Sequence, residues 1–415
     1  MAADRSLIEQ VIWWQVYPLG FGGAPIRDAH TPGHRLRRLL GWLDDVVDLG
    51  CTGLLLGPIF ASQTHGYDSV DQFRIDPRLG DERDFDDLVA ACRSRGLRLL
   101  LDGVFSHVGR GHPLVDRALA EGPGSVPAEL FDIDWSDPSA PRPRVFEGHD
   151  SLVRLNHSGA AAAGYVTDVL AHWLARGADG WRLDAAYSVA PEFWARVLPA
   201  VRENHADAWI LGEVIHGDYP DFVTRSTVDS VTQYELWKAI WSSLRDRNFF
   251  ELDWSLQRHN GFLRHFRPNT FVGNHDVTRI ADLVGTDLVP VALAILLTVG
   301  GIPSMYYGDE RGFTGVKEDR LGGDDAVRPE FPDDPAELPR GERWQVAADL
   351  IALRREHPWL AGATTEPLEL TNTRYRYRVS GSGHRLDVEL DLGGPSVAIR
   401  AKDGRTSWQY APPRG

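Results

Sequence analysis

The sequence predicts an α/β fold, a (β/α)8 barrel of the TIM type, with a loop-rich insertion after the third strand and a small C-terminal all-β domain. Three observations carry that prediction. A chain of 415 residues exceeds one ordinary compact core, but suits a barrel of roughly 250 residues or more with insertions and an appendage. Short apolar or β-branched runs alternate with longer helical patterns, the rhythm of a parallel βα array. The strand-like runs number eight, which favours a closed barrel over an open doubly wound sheet.

The strand-like runs are Ile12–Tyr17, Gly53–Leu56, Leu97–Asp102, Gly180–Asp184, Trp209–Glu213, Val228–Thr232, Thr270–Gly273 and Pro303–Tyr306. Helical patterns lie between them, such as Arg35–Leu49, Phe85–Arg95, Ala160–Arg176, Pro191–Glu203, Tyr234–Arg245 and Leu288–Thr298. In Ala160–Arg176 the apolar positions Val166, Val169, Leu170, Trp173 and Leu174 recur at amphipathic spacing. About fifty residues, 108–159, are rich in Pro, Gly, Asp and Ser and hold no sustained period. So long an irregular stretch is usually functional or a small subdomain, and its place after the third strand sets it over the C-terminal mouth of the barrel. After a final helical pattern at Glu342–Glu356, the runs Thr371–Val379, Arg385–Leu392 and Ser396–Ala401 alternate like strands around Gly-Ser-Gly and Gly-Gly turns. The division is therefore a barrel at 1–107 and 160–360, an insertion at 108–159 and a β domain at 361–415.

Composition narrows the function. With 43% hydrophobic and 25% charged residues the chain is an ordinary globular protein, and disorder is excluded. A formal charge of −15 repels phosphate backbones, so nucleic acid is not an expected partner. Cys51 and Cys92 cannot build a disulfide framework and read as reduced core thiols. The N-terminal residues lack an apolar leader, and the apolar stretch Val289–Tyr307 is broken by Gly300, Gly301 and Pro303. No membrane association is expected, and the expected address is cytoplasmic. Many of the 14 tryptophans belong in the core, although flat rings also suit stacking on sugar faces.

In a βα barrel the chemistry stands where strands end. The third run continues Asp102-Gly-Val-Phe-Ser-His107, the fourth reads Gly180-Trp-Arg182-Leu-Asp184, the fifth ends at Glu213 and the seventh continues Asn274-His275-Asp276. Arg182 and Asp184 are two apart on a strand, so both project into the barrel. A guanidinium that close is expected to keep Asp184 an anion. Glu213, flanked by Leu211, Gly212, Val214 and Ile215, is expected to sit in an apolar setting that raises its pKa. One low and one high carboxylate is the division of labour glycoside hydrolysis uses. Taken singly, an Arg-x-Asp is most often a structural ion pair and a His-Asp a solvated loop. Their occurrence in order at the ends of separate strands is poorly explained by independent accidents.

These four segments resemble the ordered signature regions of the α-amylase family of glycoside hydrolases, the neopullulanase and cyclomaltodextrinase group in particular. The resemblance extends to Gly57-Pro-Ile-Phe60, His65-Gly-Tyr67-Asp68, Leu152-Val-Arg-Leu-Asn156-His157 and Gly301–Glu310, and so covers nearly the whole chain. It implies Asp184 as the nucleophile of a covalent glycosyl-enzyme, Glu213 as acid then base, and Asp276 as a third carboxylate that favours a distorted sugar ring. Tyr67 would stack on that ring, with Asp68 beside it in the same loop. His107 and His275 would donate hydrogen bonds to its hydroxyls, Arg182 would orient Asp184, and Asp102 would support Arg182. Asp324 and Arg328 resemble an Asp-x3-Arg pair closing the same subsite, and Ile215 stands where the group often has an aromatic residue.

The family's first region usually ends Asn-His, where the Asn often helps to hold a structural calcium. Here Ser106 precedes His107, and a hydroxyl is a poorer calcium ligand than an amide carbonyl. No metal and no cofactor are therefore expected to be required. Glu213-x-x-His216 has metal-ligand spacing but stands alone. The group commonly carries a dimer-building N-terminal β domain, whereas this sequence opens on the first barrel strand, which leaves cyclodextrin preference and oligomeric state open; a monomer is the expectation. The reading is a retaining hydrolase of α-1,4 links in maltooligosaccharides or related α-glucans. Its alternatives are a transglycosylase with the same site and a non-catalytic carbohydrate-binding relative.

Overall fold

The eight barrel strands form where expected, because each is a short apolar run that a parallel sheet buries on both faces. In a computed structural model describing residues 5–28, 30–137 and 139–412, they are β1 Trp13–Val16, β2 Gly53–Leu56, β3 Arg98–Val104, β4 Gly180–Asp184, β5 Trp209–Gly212, β6 Ser230–Val231, β7 Asn269–Phe271 and β8 Ile302–Tyr306. Every one lies within two residues of its predicted bounds. The sheet runs in parallel from β6 through β5, β4, β3, β2 and β1 to β8 and β7. A lone parallel bridge from Thr232 to Asn269 joins the two ends, so the barrel closes.

Below the mouth the interior is an apolar plug. Trp13, Leu55, Leu100, Trp209, Leu211 and Ile302 pack together with Ile8 and Val11, and the Trp13 and Trp209 rings stack with centroids 5.9 Å apart. Gly53 makes room for this: a Cβ there would lie 2.5 Å from the Trp13 ring. One layer higher the register sets Asp102 of β3 beside Arg182 of β4. Both therefore point inward, where apolar plug gives way to charge.

The insertion is less irregular than its composition suggests. It holds helices Pro113–Glu121 and Val126–Leu130, and the antiparallel strands His107–Gly109, Val145–Phe146 and His149–Arg154. Its helices start on local caps, with the His112 ring and the Ser125 hydroxyl accepting from backbone N–H groups.

The C-terminal unit is a five-stranded antiparallel sheet in sequential order, β9 Thr364–Leu370, β10 Arg374–Gly381, β11 His384–Asp391, β12 Ser396–Ala401 and β13 Thr406–Tyr410. Two of these strands, β9 and β13, were not among the three expected. On β10, Tyr375, Tyr377 and Val379 are buried while Arg374 and Arg376 are exposed. The Tyr375 hydroxyl donates to Asp253 and the Tyr377 hydroxyl meets that of Thr298, both at 2.8 Å, which ties the sheet to the barrel helices. Among the described residues no helix is long and apolar enough to cross a membrane. Both cysteines are buried and free.

Candidate active site

The barrel delivers its charged residues to one place. Arg182 has a side chain only 3% exposed, and its two terminal nitrogens reach three carboxylates. Nη1 donates to both oxygens of Asp102 at 2.8 and 2.7 Å and to Asp184 Oδ1 at 3.2 Å, while Nη2 lies 2.9 Å from Glu213 Oε1. Asp184 is the last residue of β4, and Glu213 follows the last residue of β5. Strand register and one fork-shaped cation thus hold the two predicted catalytic carboxyls side by side.

Two expectations about this pair need correction. Arg182 does favour the anion of Asp184, but burial outweighs it and the charge of Glu213 adds to burial, so the Asp184 carboxyl is pushed well above the usual carboxylate range. Nor is the Glu213 carboxyl in an apolar setting. It accepts from the Ala185 N–H at 2.9 Å and the Tyr234 hydroxyl at 3.0 Å, besides its contact with Arg182. The flanking apolar residues point elsewhere: Leu211 into the plug and Val214 into the main core. Ala185, between the nucleophile candidate and a short turn, has φ 45° and ψ 36°. A left-handed alanine is strained, and this conformation aims its N–H at Glu213.

Asp276 lies beyond β7 in the segment Asn274–Asp276. Burial opposes its ionisation, but His275, Arg328 and Arg182 outweigh that and bring its carboxyl down to about 2. Arg328 Nη2 donates to Asp276 Oδ1 at 3.0 Å, and its Nε donates to the His275 carbonyl at 2.9 Å. The same guanidinium meets Asp324 at 3.3 Å, and Lys317 lies 3.4 Å from the other Asp324 oxygen. His275 accepts from Gln15 at Nδ1 (3.3 Å), which leaves Nε2 facing Asp276 at 3.0 Å and the Tyr67 hydroxyl. Burial holds the His275 ring neutral, with its pKa near 3. Tyr67 and Tyr17 flank that ring in parallel planes, with centroids 5.4 and 6.1 Å away. The Tyr67 hydroxyl also donates to Asp102 at 3.2 Å. Burial raises Asp102 to about 6 against the pull of Arg182.

Two predicted binding residues are engaged otherwise. Asp68 accepts from the Thr64 N–H and hydroxyl at 3.0 and 2.6 Å, so its carboxylate pins its own loop instead of facing the cleft. His107 donates from Nε2 to the Tyr67 carbonyl at 2.9 Å and accepts at Nδ1 from Ser106 at 2.8 Å, with the Phe146 ring stacked on it at 4.4 Å. His216 stands 6.3 Å from Tyr187, ring to ring.

Sequence reasoning missed Tyr234, which opens helix Tyr234–Arg245 and is itself braced by Asn274 Nδ2 at 3.0 Å. It also missed Gln15 on β1 and the Tyr187–Glu147 hydrogen bond of 2.9 Å between the β4 loop and the insertion. Nothing about a single Tyr or Gln announces such a role.

Fold and site define a (β/α)8 barrel whose carboxylates converge at the C-terminal mouth. The alpha-amylase catalytic-domain model matches residues 35–144 and 144–359, and the chain belongs to that family. It is 31% identical over 382 residues to a cyclomaltodextrinase of Geobacillus thermopakistaniensis, covering 84% of this chain and 63% of that protein. It is 28% identical to the maltogenic alpha-amylase of Bacillus acidopullulyticus, over 85% of this chain and 64% of that one. The chain thus spans a little under two thirds of these relatives' length. Among solved structures, the ligand-free cyclic α-maltosyl-(1→6)-maltose hydrolase of Arthrobacter globiformis aligns with TM-score 0.81 at 25% identity, covering 99% of this chain and 100% of that one.

Proposed function

We propose that the protein is a retaining glycoside hydrolase that cleaves α-1,4-glucosidic bonds of maltooligosaccharides or related α-glucans. The observation that carries this is Arg182 joining Asp184 and Glu213 at one barrel mouth, with Asp276 and His275 beside them. In the first step the Asp184 carboxylate attacks the anomeric carbon while Glu213 gives its proton to the departing glycosidic oxygen. The C–O bond to the leaving sugar breaks and an ester to Asp184 forms. In the second step Glu213 takes a proton from water, whose oxygen displaces Asp184 and restores the original configuration. Burial favours the neutral form of Asp184, so Arg182 acts by holding the attacking anion. Asp276, an anion at any working pH, and neutral His275 bind hydroxyls of the reacting ring, and Tyr67 lies against its face.

No metal takes part in this scheme, the protein acts as a monomer, and its address is cytoplasmic; a relative at 27% identity is named intracellular maltogenic amylase. The test is product analysis on maltotriose, pullulan and a cyclodextrin, with NMR of the fresh digest. An α-anomeric first product is expected. A β-anomeric first product excludes retention, and transfer products without free sugar replace hydrolysis with transglycosylation.

A further inference from the structure

The bond from Arg328 to Asp276 joins two loops, one after β7 and one after β8. Arg328 lies in the long segment between β8 and helix Glu342–Glu356, so other groups must fix its place. The two carbonyls that flank it are both taken. The Val327 carbonyl accepts from the Tyr306 hydroxyl at 2.9 Å and from Arg279 Nη2 at 3.0 Å, and the Pro329 carbonyl accepts from the Tyr307 hydroxyl at 2.8 Å. The Arg328 guanidinium itself lies 4.6 Å from the centre of the Tyr17 ring. A Cβ at Gly20 would stand 2.4 Å from the Arg328 carbonyl, so only glycine fits there.

Of these holds, Arg279 reaches furthest. It follows Asp276 by three residues, its side chain is 0% exposed, and it ties the β7 loop to the β8 loop. Nη1 donates to the Tyr307 carbonyl and to Asp309 Oδ1, both at 2.8 Å, and the backbone N–H donates to the Gly315 carbonyl at 3.0 Å. The guanidinium lies over the Tyr306 ring, 4.5 Å from its centre. Stability alone does not account for this arrangement. Arg279 Nε and Asp309 Oδ2 are buried without a hydrogen-bond partner among the described residues, and a buried ion pair with unsatisfied atoms is often no more stable than an apolar pair of similar volume. An apolar pair could not hold the Val327 carbonyl, and with it the cation that faces Asp276.

We propose that Arg279 is a positioning residue for the reaction, setting Arg328 so that its fork reaches Asp276 and the His275 carbonyl. This rests on the functional reading above, and its test separates the two. Arg279→Lys keeps a cation opposite Asp309 and gives up the nitrogen that reaches Val327. A crystal structure of this variant is expected to show Arg328 withdrawn from Asp276, beyond hydrogen-bond reach, against 3.0 Å in the native protein. Its kcat/KM on maltotriose is expected to fall about tenfold. In an Arg328→Lys background the same change is expected to cost less than about twofold, because the residue it sets is already gone. General loosening of the fold would instead multiply the two losses. An Arg328 that stays on Asp276 in the crystal, or losses that multiply, overturns the proposal. The pair Arg279→Met with Asp309→Asn buries no lone charge, and it carries both measurements where Arg279→Lys does not yield folded protein. If the unaltered protein does not cleave maltotriose, the hydrolase reading fails, and the place of Arg328 in the crystal then decides the proposal by itself.

Discussion

Replacing Arg182 by methionine keeps side-chain volume and removes only the cation. In the native protein that cation meets Asp102, Asp184 and Glu213, and the side chains of Arg182 and Asp102 are 3% and 0% exposed. Breaking a buried pair by deleting one partner costs roughly 3–5 kcal/mol, because the other charge stays buried and uncompensated. At roughly 2–4 °C per kcal/mol for a large domain, the melting temperature at about pH 8 falls by about 10 °C. The loss depends on pH with a definite sign. Arg182 stabilises ionised carboxyls, so its contribution is present where they are charged and vanishes where they hold protons. Asp102, raised to about 6 by burial and lowered by Arg182, is charged in the native fold above that pH. Without the guanidinium it titrates higher still. The gap between wild type and variant is therefore widest near pH 8 and closes as pH falls through about 6. Thermal unfolding of both proteins from about pH 5 to pH 8 measures this. A gap that stays constant across the range, or no gap at all, refutes the claim that Arg182 acts by compensating buried carboxylates.

Tyr234→Phe removes one donor from Glu213 and leaves Asn274 Nδ2 without its partner; a loss of about 1–3 kcal/mol in stability is expected by thermal unfolding. Asp184→Ala abolishes the glycosyl-enzyme, which mass spectrometry with α-glucosyl fluoride detects in the native protein. Glu213→Ala still forms it from the fluoride, and added azide then gives the α-glycosyl azide after two inversions; an α-azide from Asp184→Ala would instead mean that the two roles are reversed. Because Ser106 stands where the family usually has an amide ligand, activity is expected to survive EDTA, and loss restored by calcium would disprove this.

What could be read in advance followed the physics of each signal. Barrel strands are short, apolar and local, so their runs were visible to within two residues. Helix Phe250–Phe262 was not, because its buried face includes polar residues: Asp253 takes the Tyr375 hydroxyl, and His259 bonds the Gly300 carbonyl at 2.9 Å. Tyr375 and Gly300 lie more than forty residues away in sequence from these groups, and no local period encodes them. The same limit explains the site. Arg182 and Asp184 share a strand, so their common side was evident from a spacing of two. The environment of Glu213 was not evident, because it is made by Tyr234, Ala185 and Arg182 rather than by its own apolar neighbours. Sequence therefore located the carboxyls, and tertiary structure decided which of them burial would push toward the neutral form. An ionisation read from Arg182 alone was bound to misjudge the Asp184 carboxyl, whose raised pKa comes from burial and from the Glu213 carboxylate just past the end of the adjoining strand.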